Sequence, residues 1–526
     1  MKWNKYMTWA ISLVILTGCG DFLEEYSQDT YYATSYEDLD ELLIGDCYIQ
    51  VKPAQRLGRT DAVGYFLNYL ADEIEEQNNG YNMIVDAKER IFGYYTWQQR
   101  PGAKQDNSGF LAENGTWTEV YRLINVANNI IESVEKVPRQ LDVEKLGVAR
   151  VRGEAHFLRG YYYFWLVNLY AKPYQRETAS KELGIPIKNN AEVKDVIFKR
   201  NTLQEVYDQV LADLDQAERD LGQTGVAKSI YRADLTALNF LKSRVYLFMQ
   251  NWEKAVEYAD KVIKVRPQLT DLNHLEGGFL AKTSVETIFS MGNSEIMKDM
   301  DWGPQGFRVS HELYDAYEDA DLRKSLWWWT YEDFIGYTKC PIVEHRYNEE
   351  DPTNENYYFY NYNYVSDNFL FDVSDKFLFR TAEAYLIKAE AEAYQGHEVE
   401  ARGALNALRK YRYQTGADYQ VEAAGEALVR AIREERYLEL ALEGHRWFDL
   451  RRYSVCEKYP HSKPIVHEYT YYASRASYTM TKRYRYVLEE NDAGYTLPIP
   501  HEVIDYNVGM PNNERPERKY SVIPLN

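Results

Sequence analysis

The fold turns on the stretch Arg433-Glu-Glu-Arg-Tyr-Leu-Glu-Leu-Ala-Leu-Glu-Gly-His-Arg-Trp-Phe-Asp-Leu-Arg451. Leu428, Ala431, Ile432, Leu438 and Leu442 recur at helical spacing, which predicts a long helix over about 425–444. Glu435, Glu439 and Glu443 fall four apart on one face of that helix, and Arg436, Arg446, Asp449 and Arg451 lie close in sequence. Two carboxylates flanking a scissile bond are what glycoside hydrolysis needs. Acids four apart on one helix share a single surface instead. With this many arginines beside them, the simpler expectation is an ion-pair network pinning the helix to the turn at Gly444-His445.

Working outward, the same periodicity returns upstream. Ala382, Tyr385, Leu386, Ala389 and Ala393 precede Gly396, a residue suited to ending a helix in the left-handed conformation, and Ala401, Ala404, Leu405 and Leu408 follow. Asp234 stands ready to cap a helix carrying Leu235, Leu238, Leu241, Val245 and Phe248. After Met249-Gln250-Asn251, a second helix carries Trp252, Ala255, Val256, Ala259, Val262 and Ile263. Such helix–turn–helix pairs are TPR-like, though degenerate, since no strict 34-residue consensus recurs. Thr202-x-x-Glu205 and Thr116-x-x-Glu119 read as capping boxes for two further helices. Another helix carries Val151, Ala155, Leu158, Tyr162, Trp165 and Leu169 and stops before Pro173. Helices are therefore expected near 117–265 and 380–453. Between about 266 and 379 the period vanishes into Gly, Pro, Asn, Tyr and Trp, and 454–526 reads as turns with short strands. The expected class is mainly α: TPR-like helix pairs form a scaffold that carries a large, irregular, loop-rich and aromatic half.

Composition narrows the function. The chain has 526 residues, 61 Lys+Arg against 81 Asp+Glu and a formal charge of -20, which argues against binding nucleic acid through a basic surface. Aromatic residues reach 15%, with 48 Tyr and 11 Trp; exposed rings of this kind suit stacking on ligands. Lys2 and Lys5, the apolar run Met7 to Leu16 and then Leu16-Thr-Gly-Cys19 have the form of a secretory signal that ends in a lipobox. On that reading residues 1–18 are removed, Cys19 is lipidated, and residues 19–526 form one domain held to a membrane without spanning it. An ordinary signal peptide is the alternative. No Lys or Arg occurs from Cys19 to Val51, which is rich in Asp and Glu and resembles the surface-export signals of certain Gram-negative lipoproteins. Beyond Cys19 only Cys47, Cys340 and Cys456 remain, too few for a disulfide framework. The sequence has no HExxH, P-loop, GxGxxG, Gly-x-Ser-x-Gly or EF-hand spacing, so no metal, cofactor or catalytic residue is expected.

Several stretches occur together in one order. They are Cys19 in its lipobox, Trp117-Thr-Glu-Val-Tyr-Arg-Leu-Ile-Asn-Val-Ala-Asn128, Arg152-Gly-Glu-Ala-His-Phe-Leu-Arg159, Arg380-Thr-Ala-Glu-Ala-Tyr-Leu-Ile-Lys-Ala-Glu390, the 433–451 stretch and Leu497-Pro-Ile-Pro500. In these the chain resembles the SusD/RagB family of outer-membrane nutrient-binding lipoproteins over nearly the whole mature length. The terminal loop departs: Asn507-Val508 and Met510-Pro-Asn-Asn-Glu514 stand where Asn-Pro and Gln-Asn-Pro-Gly would be expected. The resemblance implies an α-fold whose TPR-like helix pairs support an irregular, ligand-binding half, in a non-enzymatic lipoprotein of the outer membrane that faces the cell exterior. It would capture oligosaccharide, or in some members peptide, and deliver it to a SusC-like TonB-dependent transporter. It also implies ligand stacking on rings from about Tyr81 to Trp97 and Trp302 to Trp329, which singles out Tyr81, Trp97, Trp302 and Trp328. Burial in the core is the competing expectation for each ring. A glycoside hydrolase and a TPR scaffold for protein partners are the alternatives from other classes.

Overall fold

The computed structural model describes residues 33–49, 63–77, 86–192, 195–292, 296, 306–340, 373–473 and 479–525. Among these, α1 (Tyr36–Leu42) opens on a capping box made by Ser35 and Asp38. After β1 (Ile74–Glu76) come α2 (Asp86–Tyr95), α3 (Gly115–Val134), α4 (Asp142–Tyr170) and α5 (Leu203–Leu221). Gly153 and Gly160, seven apart on one face of α4, permit the close approach of α5. A Cβ at Gly153 would fall 2.9 Å from Leu221 Cγ, and one at Gly160 would fall 3.2 Å from Asp213 Cβ.

The helix starts follow their caps. Thr202 and Glu205 form the expected box at α5. Asp234 accepts from Thr236 and Ala237 at α6 (Leu235–Phe248), and Asn251 accepts from Lys254 at α7 (Trp252–Val265). Thr116 does not cap α3. The helix begins a residue earlier, and the Thr116 hydroxyl, inside it, accepts from the Gly64 amide at 3.1 Å.

The central stretch holds short elements: β2 (Thr287–Ser290), β3 (Phe307–Val309), α8 (His311–Asp315), α9 (Arg323–Leu326), β4 (Trp328–Tyr331), β5 (Phe334–Tyr337) and β6 (Leu378–Arg380). β6 runs directly into α10 (Thr381–Gln395), which Gly396 ends at φ 84° before α11 (Glu398–Arg409). α10 packs on both α7 and α11, extending the stacked pairs. Next, α12 (Gly425–Glu439) stops five residues short of the expected end, because Leu442 takes φ 58° and Gly444 φ 74° before α13 (Arg446–Tyr453). The Leu442 amide donates to buried Glu73 instead of continuing the helix.

The turn therefore leaves Glu443 off the helix, yet the three glutamates still meet cations. Arg380 bonds Glu439 and Glu443, Arg412 bonds Glu439 and Glu286, Arg323 bonds Asp321, Glu435 and Glu439, and Lys339 bonds Glu443. These partners come from distant segments rather than from neighbours in the 433–451 stretch. Arg436 pairs with Asp449 and Glu383, Arg446 with Asp72, and Arg451 with the carbonyls of Asn168 and Ala171 at the end of α4. The network holds α12 against β6, α9 and the 286 strand, a structural use of buried charge.

A three-stranded antiparallel sheet, β7 (Ile465–Tyr472), β8 (Met480–Leu488) and β9 (Tyr520–Ile523), follows, with α14 (His501–Tyr506) before its last strand. Cys47, Cys340 and Cys456 are buried free thiols. No described helix is long and apolar enough to cross a membrane.

Candidate ligand-binding face

Four strands, β7, β1, β3 and β5, lie side by side around one corner. β1 pairs with β3, β5 lies beside β3, and β7 lies beside β1. At the end of the β1–β3 pair the Gln77 amide donates to the Gly306 carbonyl at 2.9 Å. The chain leaves the described structure after Gln77 and re-enters it at Gly306. Gly306 has φ 83°, and a Cβ there would press on Lys88 at 3.3 Å, so glycine suits the position on both counts. Lys88, from the start of α2, sits buried behind it. Its amine pairs with Glu76, donates to the Thr470 carbonyl at 3.2 Å and lies 4.5 Å from the Tyr469 ring. Glu76 in turn accepts from the Thr470 amide and hydroxyl. The corner is thus braced by a buried cation that ties α2, β1 and β7 together.

Of the rings singled out from sequence, Tyr81 and Trp302 lie outside the described residues, as does Cys19. Trp97 is a correction. It is fully buried, its indole N–H donates to the Leu70 carbonyl at 3.0 Å, and its face stacks on His467 at 4.4 Å. Trp328 is also core, 3% exposed and packed between Tyr317 and Tyr337. Neither ring has a face to offer a ligand. In Trp327-Trp328-Trp329 the first residue is still helical at ψ −14°, so strand alternation begins only at Trp328. Trp329 therefore lies on the opposite face, half-buried against Phe334 and Gly336, and Tyr331 stands 59% exposed at the hairpin turn. That turn is tied to β3 by Arg308, which pairs with Asp333 and Glu75. Sequence reasoning missed these two rings, since the turn at Glu332, φ 51°, lacks the usual Gly or Asn.

His467 is clamped between Tyr95 at 4.0 Å and Trp97, with its ring nitrogens 2.7 and 3.0 Å from the carbonyl oxygens of Tyr95 and Ala71. Burial pushes the imidazole down to about 4, against the pull of those two carbonyls. Burial pushes His445 down to about 4 as well, against the pull of Glu383. Both histidines stay neutral in the fold and are free to protonate when unfolded. At these two positions the unfolded chain therefore binds more protons below about pH 6.5, and their contribution to stability falls as pH drops from there toward 4; Glu73, whose carboxyl burial pushes up to about 8, contributes in the opposite sense. The expected loss between pH 7 and pH 5 is about 2 kcal/mol for each histidine. Urea unfolding of wild type and His467→Gln at the two pH values checks it: the variant should lose about 2 kcal/mol less than wild type between them.

The three glutamates singled out in the 433–451 stretch do not form a hydrolytic pair. Glu435, Glu439 and Glu443 are all buried and paired to Arg or Lys. An open cleft of about 360 Å³ between α3, α4 and α5 holds Glu135, Arg152, His156, Arg159 and Asp213, but these neutralise one another directly. Among the described residues, no group of His, Cys, Asp and Glu is arranged to hold a metal ion.

Residues 281–516 match the model of the SusD family, and residues 57–247 match a model described as starch-binding associating with outer membrane. The chain belongs to the SusD/RagB family. This SusD-family chain is 27% identical over 402 residues to SusD-like protein P38 of Formosa agariphila, covering 66% of this chain and 74% of that protein. It is 23% identical over 490 residues to SusD-like protein P2 of the same organism, covering 85% and 90%. Among solved structures, a SusD-like carbohydrate binding protein from Bacteroides vulgatus superimposes with a TM-score of 0.65 at 18% identity, covering 91% of this chain and 98% of that one. Surface glycan-binding protein A from Bacteroides fluxus does so with 0.58 at 18% identity, covering 90% and 96%. At these identities the structural likeness shows that this SusD-family chain shares their fold.

Proposed function

We propose that this protein is a cell-surface lipoprotein, anchored to the outer membrane through Cys19, that captures oligosaccharide or polysaccharide and passes it to a SusC-like TonB-dependent transporter. The observation that carries the reading is the corner at Gln77 and Gly306, the described residues nearest in sequence to Tyr81 and Trp302, next to the hairpin that carries the half-buried Trp329 and the exposed Tyr331. Rings at a braced corner suit sugars, whose C–H faces pack on aromatic faces while polar neighbours meet the hydroxyls. Family membership supports the same reading, as do the glycan-binding descriptions of fold relatives. Binding without cleavage fits Glu435, Glu439 and Glu443, which are committed to buried ion pairs.

Isothermal titration of the lipid-free chain, residues 20–526, against polysaccharides, oligosaccharides and peptides tests it. Glycan binding is expected, and the bound sugar should be recovered uncleaved. Tyr81→Ala and Trp302→Ala should each weaken it by about three- to tenfold, the worth of one stacked ring. Binding of peptides with silence across the glycans would replace this reading with a peptide-binding one. Cleavage of the sugar by pure protein would restore the hydrolase.

A further inference from the structure

The C-terminal sheet carries tyrosines that the core does not use. On one face of β7 and β8, Ile465, His467, Tyr469, Tyr486 and Leu488 are buried. The cross-strand pairs Tyr469–Tyr484, Tyr486–Tyr520 and Tyr484–Val522 continue that face out to the edge strand β9. There burial ends: Tyr520 is 54% exposed and Val522 69%. The rings are nonetheless ordered. Tyr520 stacks on Tyr484 at 4.2 Å and 19°, with Tyr486 beside it at 5.8 Å. Tyr484 leans on Tyr471 at 5.1 Å, and the Tyr471 and Tyr486 hydroxyls share a hydrogen bond of 2.9 Å. One face of Tyr520 is thus held by protein, leaving the other to solvent.

We propose that the outer face of Tyr520, with Val522 next to it on the same face, is a second glycan platform, distinct from the corner at Gln77 and Gly306. The proposal rests on the glycan reading above. A ring already fixed by a stack loses little entropy on binding. A flat ring without a pocket suits the C–H face of a pyranose better than a peptide side chain, whose anchors are strongest in closed pockets. β9 lies two strands beyond β7, about 10 Å farther from β1, so both places can engage one long chain. A second foothold raises affinity for a polymer through effective concentration, with no effect on a ligand too short to reach both.

The test compares wild type, Tyr520→Ala, Tyr520→Phe and Trp302→Ala by affinity electrophoresis in the polysaccharide that the wild type binds, and by titration with a short oligosaccharide of the same sugar. Tyr520→Ala should weaken polymer binding by about three- to tenfold while leaving oligosaccharide affinity at the corner and the thermal midpoint unchanged. Tyr520→Phe should bind as wild type. If Tyr520→Ala retards like wild type while Trp302→Ala does not, the second platform is wrong and the corner stands. If an aromatic-rich peptide binds at Tyr520 in place of sugar, the ligand class is wrong. If the wild type binds no glycan, both readings fail together.

Discussion

Replacing Arg380 with Met is expected to destabilise the protein by about 3–5 kcal/mol, the cost of removing one partner from a buried ion network. Arg380 is 2% exposed. Its Nε donates to Glu443 at 2.8 Å, and its Nη1 reaches Glu439 at 2.5 Å and Glu286 at 3.3 Å. Its Nη2 reaches the Glu439 carbonyl at 2.6 Å and Glu443 at 2.9 Å. Met fills much of the space but leaves the carboxylates short of one buried charge. Arg412 and Lys339 remain beside Glu439 and Glu443, so the deficit is partial rather than total. Arg380→Lys keeps the charge and loses the fork, and should fall between. Urea unfolding followed by circular dichroism gives the number. A loss below about 1 kcal/mol would mean that the network is slack, and that Glu439 and Glu443 are freer than their partners imply.

Trp97→Ala should cost a similar 3–5 kcal/mol, as deletion of a large buried aromatic does. The ring closes the stack on His467, and its backbone sits at φ 49°, a conformation held only by surrounding contacts. Trp97→Phe keeps most of the packing but loses the bond to the Leu70 carbonyl, and should cost about 1 kcal/mol plus the smaller ring's lost contacts. Stability, read by the same urea melts, is therefore the effect to expect from this residue. A Trp97→Ala protein as stable as wild type but deficient in sugar binding would return the ring to the ligand face.

These two residues mark where sequence reading stops. The helices were legible because their signals are local: a cap, a period of 3.6 residues, a glycine after the last turn. Thr202, Asp234 and Gly396 each act within a few residues of themselves. The end of α12 was not legible, because the left-handed residue is Leu442 and what holds it is Glu73, far away in the chain. The glutamates of the 433–451 stretch pointed to ion pairing, but their partners Arg323, Arg380 and Lys339 are brought to them only by tertiary packing. The aromatic rings were least legible. A core tryptophan and a ligand-stacking one have the same local sequence signature. Only the helical residue Trp327, after which the strand begins, turned Trp328 inward and Trp329 to the opposite face.

Hydrogen exchange with and without the glycan found by titration tests the central claim most directly. The claim predicts slowed exchange on binding at residues 74–77, 306–309 and 328–337, with the paired helices α6, α7 and α10 unchanged. Protection confined to those helices, with the strand corner unaffected, would contradict it and point to a scaffold that binds through its helical face.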